Sequence, residues 1–302
     1  RPRRATVTFT PEGGTPVTRT VVTGYREYVA VLQANAGLDS RTFTFTESPA
    51  LVSFPIRPLR QKATEVLLGT DDLPLFNDNT LLLAQWRQSL PGDDKYLKYP
   101  DLEPITPGKG YWAGFPVPIT VKIVGQLPER EPRTSVSLLF GWNQIGTPYQ
   151  TALNINDLEF QFGPDNQGVD LQTAITKGWI EAVNLPAPVG QVAVYQFGAG
   201  GYSKATTLEP WKGYFIKVRV AEGLTLTYTP PSTRQAAQQR RSSVQPPASG
   251  WVLPVVLRTK GRSASVYIGQ AEGASAGYDR GLDGPKPPAV SRMVPDLSIV
   301  RM

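Results

Sequence analysis

Apolar and polar residues alternate with a period of two in several segments of the chain. Residues 6–10 read Thr-Val-Thr-Phe-Thr, and segments 42–46 and 224–229 follow the same pattern. Because successive side chains of a β-strand point to opposite faces, each segment predicts a strand with one apolar and one threonine-rich face. Threonine suits the exposed face, since its branched Cβ fits the pleat.

Turn signals separate many further segments of strand length. The turns are rich in glycine, proline or aspartate, as at 12–14, 91–94 and 198–201, and these residues reverse the chain readily. Many short strands between such turns are typical of sandwiches and barrels. The sequence therefore predicts an all-β fold of antiparallel, sandwich or barrel-like modules. The other predicted strands are 26–33, 50–55, 80–86, 110–115, 118–124, 135–140, 191–197, 212–219, 251–258, 264–269 and 297–300.

One segment has the features of a helix. Asp170 is a suitable N-cap for residues 171–177, because its carboxylate accepts hydrogen bonds from the first free backbone N–H groups. Gly178 is suited to end the helix, since glycine adopts the left-handed conformation without steric penalty. One short helix is therefore expected in an otherwise β chain.

Residues 50–125 and 136–229 present the same features in the same order. Each stretch opens on an apolar strand that runs into proline, continues with a hairpin, and closes on an alternating strand. Near the end of each stretch, Leu-Glu-Pro precedes a Gly-Tyr-aromatic strand, at 102–112 and at 208–215. Such self-similarity predicts an internal duplication, with 50–125 and 136–229 as two β repeats.

Three other regions surround the repeats. Residues 1–49 form an N-terminal strand region, and residues 230–250 form a linker rich in Pro, Gln and Arg that has too few apolar side chains for a core. Residues 251–302 contain two or three strands, and an isolated hairpin is only marginally stable in water. We therefore expect 251–302 to be an incomplete C-terminal β module.

The net charge of +6 comes from two short stretches. The chain has 31 basic and 25 acidic residues, and segments 1–10 and 230–250 hold six arginines and no acid. A nucleic-acid-binding domain carries its basic residues on a folded face, so no nucleic-acid partner is expected. Solvated charge is the first interpretation, and contact with an acidic surface of a neighbouring subunit is the alternative. No run of 18 apolar residues occurs, so no membrane insertion is expected.

The chain contains no histidine and no cysteine. Histidine bases, thiolate nucleophiles and imidazole or thiolate metal ligands are therefore excluded. Paired carboxylates remain conceivable as a glycosidase acid and base, as Asp93 with Asp94, or Glu181 beside Trp179. Any sequence offers such pairs, so the chain is not expected to be an enzyme.

Calcium is the one cofactor for which the sequence offers candidate ligands. Calcium takes several oxygen ligands, but no acidic cluster here has the spacing of the twelve-residue calcium loop. Asx residues near glycine are commonly turn formers, so no cofactor is expected. The calcium candidates are Asp165, Asn166 and Asp170, with Asp71, Asp72 and Asp78, and Asp279 with Asp283, as further groups.

Aromatic residues have two candidate roles. Tryptophans within the repeats are expected to anchor the core, since they bury large apolar areas. Tyr195, Tyr202 and Trp179 lie near glycine-rich turns and are candidates for contact with sugar rings. The six tryptophans are Trp86, Trp112, Trp142, Trp179, Trp211 and Trp251.

The boxes Gly-Trp-Asn-Gln-Ile-Gly-Thr-Pro at 141–148, Pro-Gly-Lys-Gly-Tyr-Trp at 107–112 and Glu-Pro-Trp-Lys-Gly-Tyr-Phe at 209–215 resemble repeats of β-rich modules in bacterial secreted and cell-surface proteins. Segment 250–288 resembles another surface-protein segment. This resemblance implies an extracellular or cell-surface protein built of β modules that are structural or auxiliary and carry no catalytic site.

The two ends of the chain are unequal, because the N-terminal region has extra strands and the C-terminal module lacks them. We hypothesise that strands of one copy complete a sheet of the next, head to tail, which builds an open filament. The alternative is that the N-terminal strands form a sheet of their own. The side chains expected at the contact between copies are Val7, Phe9, Phe43, Phe45, Leu297 and Ile299.

These observations predict a non-enzymatic, extracellular structural subunit that assembles with copies of itself into a filament or surface layer. The alternative is an adhesin or carbohydrate-binding accessory module of a larger secreted protein, in contact with a cell surface or a polysaccharide.

Overall fold

Antiparallel β-strands dominate the computed structural model, and this confirms the predicted all-β class. No helix in the part described below is long and apolar enough to cross a membrane. The predicted strands 26–33 and 297–300 lie outside the described part. The structure describes residues 3–9, 17–23, 39–58, 66–69, 75, 82–91, 95–98, 101–102, 104–128, 133–163, 167–198, 201–230, 249–259, 262–275, 279, 281–284 and 286–288.

An antiparallel pair of strands, β1 (Arg3–Phe9) and β2 (Val17–Thr23), opens the chain. The first half of the molecule follows, as two antiparallel sheets with strand orders β3-β9-β5 and β4-β8-β6-β7. Its strands are β3 (Asp39–Phe45), β4 (Ala50–Ser53), β5 (Arg57–Pro58), β6 (Leu82–Trp86), β7 (Tyr96–Lys98), β8 (Gly110–Gly114) and β9 (Ile119–Gln126).

The second half has the same plan with additions. Its two larger sheets have strand orders β10-β21-β13-β14 and β11-β20-β17-β18, and two short pairs, β12-β19 and β15-β16, lie beside them. Its strands are β10 (Thr134–Leu138), β11 (Gly141–Gly146), β12 (Leu153–Asn154), β13 (Glu159–Gln161), β14 (Val169–Asp170), β15 (Val183–Asn184), β16 (Gln191–Val192), β17 (Val194–Gly198), β18 (Gly201–Lys204), β19 (Thr207–Leu208), β20 (Gly213–Val218) and β21 (Leu224–Tyr228).

The predicted short helix is present as α1 (Leu171–Thr176), and a 3-10 turn precedes it at Ile155–Asp157. The carboxylate of Asp170 accepts a hydrogen bond from the Thr173 N–H at 2.7 Å, as an N-cap does. Gly178 has φ +73°, so the left-handed residue that ends the helix is the one expected.

Strand for strand, the two halves correspond. The order β4-β8-β6-β7 in the first half matches β11-β20-β17-β18 in the second, and β3-β9-β5 matches β10-β21-β13. Strand β3 pairs with β9 along its whole length, from Asp39 opposite Gly125 to Phe45 opposite Ile119. Residues 39–45, which the sequence places in the N-terminal region, therefore lie in a sheet of the first half.

Each half has its own core, and the strands divide their side chains between that core and a third cluster. On β8, Tyr111 and Ala113 pack in the core of the first half, whereas Trp112 points to the other face of the sheet. On β20, Tyr214 and Ile216 pack in the core of the second half, and Phe215 points to the same third cluster. The rings of Trp112 and Phe215 lie 6.3 Å apart. The halves therefore share an aromatic interface, which we call the shared cluster, and it includes Leu51, Ala84, Trp86, Tyr96, Trp112, Trp142, Tyr195, Phe197, Tyr202 and Phe215.

Reciprocal hydrogen bonds join the two halves beside this cluster. The Ser53 N–H donates to the Trp211 carbonyl at 3.1 Å, and the Gly146 N–H donates to the Gly108 carbonyl at 3.1 Å. Ser53 and Gly146 are equivalent, because they pair with Gly110 and Gly213 at the same point of the two sheets. The halves are thus related by a local two-fold arrangement that repeats each contact.

Trp211 has a left-handed backbone conformation that strains a tryptophan but not the glycine at the equivalent position of the first half. It is the one non-glycine residue with positive φ (+67°) among the described residues, and the equivalent Gly108 has φ +88°. The Trp211 ring is buried and stacks on Phe43 with ring centroids 5.2 Å apart. Burial of a large ring offsets the backbone penalty of about 1–2 kcal/mol that a side chain meets in this conformation.

At Trp211, substitution by glycine should destabilise the fold less than substitution by alanine, which is the reverse of the usual order. Trp211→Ala loses the buried ring, about 3–5 kcal/mol of unfolding free energy, and keeps the backbone strain. Trp211→Gly loses the same ring but not the strain, so it should be roughly 0.5–1 kcal/mol more stable than Trp211→Ala. Urea unfolding measures the difference. At Phe43, on an ordinary strand, Phe43→Gly should be less stable than Phe43→Ala, and the same order at Trp211 would contradict the argument.

Buried tyrosines connect the strands of both halves. The Tyr228 hydroxyl donates to the Gly108 carbonyl at 2.8 Å, and the Tyr149 hydroxyl donates to the Tyr228 carbonyl at 2.8 Å. Burial raises the pKa of Tyr228 well above its ordinary value, and it also raises the pKa of Tyr111. The pKa of Tyr214 is raised to about 12, mainly by burial, although the Glu209 N–H donates to its hydroxyl.

The fold should therefore lose stability in alkali. These tyrosines ionise near pH 10 in the unfolded chain but stay neutral to higher pH in the folded one, so their contribution is complete below pH 10 and is lost as pH rises above it. Each such tyrosine should lower the unfolding free energy by about 1.4 kcal/mol per pH unit between pH 10 and its folded pKa. Urea titrations at several pH values measure how fast the unfolding free energy falls with pH. In Tyr214→Phe this fall should be smaller by the same amount per pH unit than in the parent protein, and an equal fall would contradict the assignment.

Candidate functional site

Seven of the eleven exposed large apolar side chains among the described residues lie on one hairpin near the C-terminal end. Strands β22 (Gly250–Thr259) and β23 (Arg262–Ala271) pair over ten residues as a separate two-stranded ribbon. Strand β23 lies against β18 of the second half, but no described strand continues the ladder on either edge. A long two-stranded ribbon with this little cover is unusual, because hairpins need a packed face to be stable.

One face of the ribbon is apolar. The register places Trp251 opposite Gln270, Leu253 opposite Ile268, Val255 opposite Val266, and Leu257 opposite Ala264, all on one side. Five of these side chains are 37–52% exposed, and the eight residues include no charge. We call this surface the apolar face of the ribbon; its exposed members are Trp251, Leu253, Val255, Leu257 and Ile268.

Pro254 limits what the edge of the ribbon can bind. It lies within the unbroken β22–β23 ladder, opposite Tyr267. Proline has no N–H, so it is tolerated in a ladder only where its nitrogen faces away from the partner strand. The missing donor is therefore on the open edge of β22, where it interrupts any added strand. This arrangement favours the face of the ribbon, rather than its edge, as the contact surface.

After the ribbon, the chain returns to the second half. The Asn184 N–H donates to the Gly281 carbonyl. Gly284 lies against Val183, and a Cβ at Gly284 would be 3.6 Å from the Val183 Cβ. These contacts place residues 281 and 284 against the second half.

The segment ends on the shared aromatic cluster. The Pro288 carbonyl accepts hydrogen bonds from the Tyr202 hydroxyl at 2.6 Å and from the Tyr96 hydroxyl at 3.2 Å. The Trp112 Nε1–H donates to the Tyr96 hydroxyl oxygen at 3.1 Å. Pro287 is buried beside them. One carbonyl therefore receives a hydroxyl from each half of the molecule.

Tyr96 and Tyr202 occupy equivalent positions. Tyr96 pairs with Trp86 on the neighbouring strand, and Tyr202 pairs with Phe197, which is the counterpart of Trp86 in the second half. The edge strands read Tyr-Leu-Lys at 96–98 and Tyr-Ser-Lys at 202–204. The Pro288 carbonyl thus lies between residues that the local two-fold arrangement relates.

A cavity of about 670 Å³ lies between the ribbon, residues 282–284, 286 and 287, and the second half. Tyr195, Tyr202 and Trp251 contribute aromatic surface to it, and Lys286 and Asp283 contribute charge. Burial lowers the pKa of Lys286. The Trp251 Nε1–H donates to Gln270 Oε1 at 3.3 Å, so this ring is held at the end of the apolar face.

The acidic candidates for calcium have other partners where the structure describes them. The Asp279 carboxylate accepts hydrogen bonds from the Ser275 N–H and hydroxyl, and the Asp283 carboxylate accepts one from the Asp279 N–H. Asp170 caps α1. In the part of the chain that the structure covers, no three acidic residues cluster as metal ligands. The other candidates, Asp165, Asn166, Asp71, Asp72 and Asp78, lie outside that part.

The carboxylate considered for glycosidase chemistry forms ion pairs. Glu181 Oε2 lies 3.3 Å from Lys217 Nζ and 4.0 Å from Arg219 Nε. Trp179 beside it is buried in the core of the second half and is not a surface for sugar rings. The Lys177 ammonium lies over the Trp179 ring, 4.8 Å from its centroid. Asp93 and Asp94 are outside the described residues.

The expectation that tryptophans anchor the core holds for four of the six. Trp112, Trp142, Trp179 and Trp211 are buried and Trp86 is partly buried, whereas Trp251 is exposed on the ribbon. Tyr195 and Tyr202 line the cavity, but they also pack in the shared cluster. The sequence did not show that Trp251 is exposed, because the mostly apolar run 251–258 indicates a strand but not which face of it is covered.

The structure describes two of the six side chains expected at a contact between copies. Phe45 is buried in the core of the first half and Phe43 packs against it, because β3 pairs with β9 within the same chain. These two side chains therefore have partners without a second copy. Val7 and Phe9 lie on β1, whose side chains are not described, and Leu297 and Ile299 are outside the described residues.

No protein family, no curated protein and no solved structure shows a significant match to this chain.

The two tyrosines at Pro288 should act together. In either single variant, Tyr96→Phe or Tyr202→Phe, the Pro288 carbonyl keeps one hydroxyl donor. In the double variant it loses both, so the loss of unfolding free energy should exceed the sum of the single losses by about 0.5–1 kcal/mol. Urea unfolding of the four proteins measures this coupling. Tyr267→Phe on the exposed ribbon is the matched control and should change stability by less than about 0.5 kcal/mol. If the double variant loses only the sum of the two single losses, the shared binding of Pro288 is contradicted.

Proposed function

We propose that this chain is a non-enzymatic structural subunit that associates with copies of itself through the apolar face of the ribbon. The observation that carries the proposal is the exposure of five large apolar side chains on one uncharged ribbon face. The largest contiguous apolar patch on a typical monomer is about 300–600 Å², and such a patch is often functional.

A second copy of the ribbon is the occupant that fits this face. The face carries no charge, so two copies can stack without burying an unpaired ion. Its charged neighbours, Arg258 and Arg262, lie towards the hairpin tip. A two-fold contact places the same apolar surface on both sides, which is the commonest symmetry of homo-oligomers.

The area of the ribbon decides how strong this contact is. Ten residues at about 3.4 Å each and two strands about 4.8 Å apart give a face of about 300 Å². Stacking two faces then buries about 600 Å² in total, below the roughly 1,200 Å² of a typical stable interface. The gain of about 15 kcal/mol is comparable with an association cost of about 4–15 kcal/mol. The ribbon contact by itself is therefore weak and concentration-dependent.

The proposal also includes the internal duplication of the chain and the extracellular location of the assembly. The matching strand orders of the two halves support an internal duplication. The resemblance of the 107–112, 141–148 and 209–215 boxes to bacterial surface modules supports an extracellular filament or surface layer. A two-fold ribbon contact by itself closes at a dimer, so a filament or surface layer requires a further contact between dimers.

An adhesin or carbohydrate-binding module remains the second candidate function. The observation that favours it is the cavity of about 670 Å³, where Trp251 offers a ring and Gln270 an amide next to Tyr195 and Tyr202. Aromatic rings beside polar side chains suit a sugar. Retention of a monomeric chain on a polysaccharide column would favour this function over assembly.

A single charge on the apolar face should weaken association. Leu253→Lys places an unpaired charge in the apolar contact, and we expect the dissociation constant to rise at least about tenfold, which corresponds to about 1.4 kcal/mol. Sedimentation velocity over a concentration series measures this constant.

Val256→Lys is the matched control. Val256 is on the same strand and is similarly exposed, but it points to the opposite face, so this variant should associate like the parent. The parent remaining monomeric at the highest concentrations, or equal association of both variants, would refute the proposal.

A further inference from the structure

The contact between residues 286–288 and the shared cluster has the properties of a peptide-binding site. Trp86, Tyr96, Phe197 and Tyr202 provide aromatic surface, with Trp86 and Tyr96 centroids 5.0 Å apart and Phe197 and Tyr202 centroids 5.2 Å apart. The bound segment belongs to the run Pro-Lys-Pro-Pro at 285–288. Aromatic grooves with hydroxyl donors are a recurrent means of binding proline-rich segments, which lose little entropy because they are already extended.

The covalent chain does not require this site to be filled by its own segment. Residues 231–248 connect the two halves to the ribbon and to the segment that follows it. Eighteen residues reach at most about 60 Å when extended. This reach is large compared with the radius of gyration of about 18–19 Å that a compact chain of some 300 residues has. The site of a neighbouring copy is therefore within range of the same C-terminal segment.

We propose that the aromatic site at Tyr96 and Tyr202 binds the proline-rich segment of a second copy, in exchange for its own. This inference rests on the proposed function, since stacking of the ribbons is what holds the two copies together. In the exchanged state Tyr96 and Tyr202 of one copy donate to the Pro288 carbonyl of the other, and Gly284 of the second copy packs on Val183 of the first.

Exchange of this kind replaces every contact by an identical one. The free energy of exchange therefore depends on the linker and on the local concentration of the second copy, and not on the affinity of the site. For this reason domain swapping is a low-cost route to oligomers. Once the ribbons have stacked, the segments are tethered close to the partner's sites, and the second binding event becomes effectively intramolecular. Exchange thus adds the second contact that the ribbon area alone does not provide.

Cysteine trapping tests the exchange directly, because the chain has no native cysteine. A Cβ at Gly284 would be 3.6 Å from the Val183 Cβ, within the range of about 3.5–4.5 Å found in disulfides. Val183→Cys and Gly284→Cys are made as separate full-length variants that differ in tag size. They are mixed at a concentration where the parent associates, oxidised, and examined on non-reducing gels.

We expect a disulfide-linked heterodimer in the mixture that neither variant forms alone. The double variant Val183→Cys/Gly284→Cys serves as the folding control, because at low concentration it should close within one chain and run as a monomer. Adding Tyr96→Phe and Tyr202→Phe to the Val183→Cys partner should reduce the heterodimer severalfold.

Sedimentation of the same mixtures separates the two proposals. Associated chains that give no heterodimer, while the double variant closes normally, overturn the exchange and leave the ribbon contact in place. Chains that remain monomeric and give no heterodimer overturn both.

Discussion

The close approach of two backbones at the junction of the halves is the constraint on which the architecture depends. A Cβ at Gly110 would lie 2.7 Å from the Ile145 carbonyl oxygen, and a Cβ at Gly213 would lie 2.7 Å from the Val52 carbonyl oxygen. Both glycines are needed because any side chain would separate the strands. With the strands in contact, the second face of each four-stranded sheet has only the other half to pack against, and this creates the shared aromatic cluster.

The shared cluster in turn creates the site for the C-terminal segment. Two equivalent tyrosines are brought from opposite halves to one place, so a single carbonyl can accept both hydroxyls. The segment that supplies this carbonyl follows the ribbon in sequence, and its position holds the ribbon beside β18. Junction, aromatic site and exposed ribbon are therefore successive consequences of one packing arrangement.

The proposed function rests on the apolar surface that this arrangement leaves exposed. The described core residues of each half pack within one chain, and β3 contributes Phe43 and Phe45 to the core of the first half. The ribbon is different, because five large side chains of its apolar face are 37–52% exposed. Association is therefore proposed at the C-terminal end of the chain, through the ribbon face and the proline segment, rather than through the N-terminal strands.

The sequence alone determined the all-β class, the capped helix at Asp170 and the boxes that recur in the two halves, because alternation, capping and turn residues act over a few neighbours. It did not determine that 39–45 pairs with β9, or that Tyr96 corresponds to Tyr202, since the spacing between the halves changes through loops of unequal length. Nor did it distinguish exposed Trp251 from buried Trp179. Only the tertiary structure decided these points, because burial depends on which distant strand covers each face, and an alternating pattern does not specify that strand.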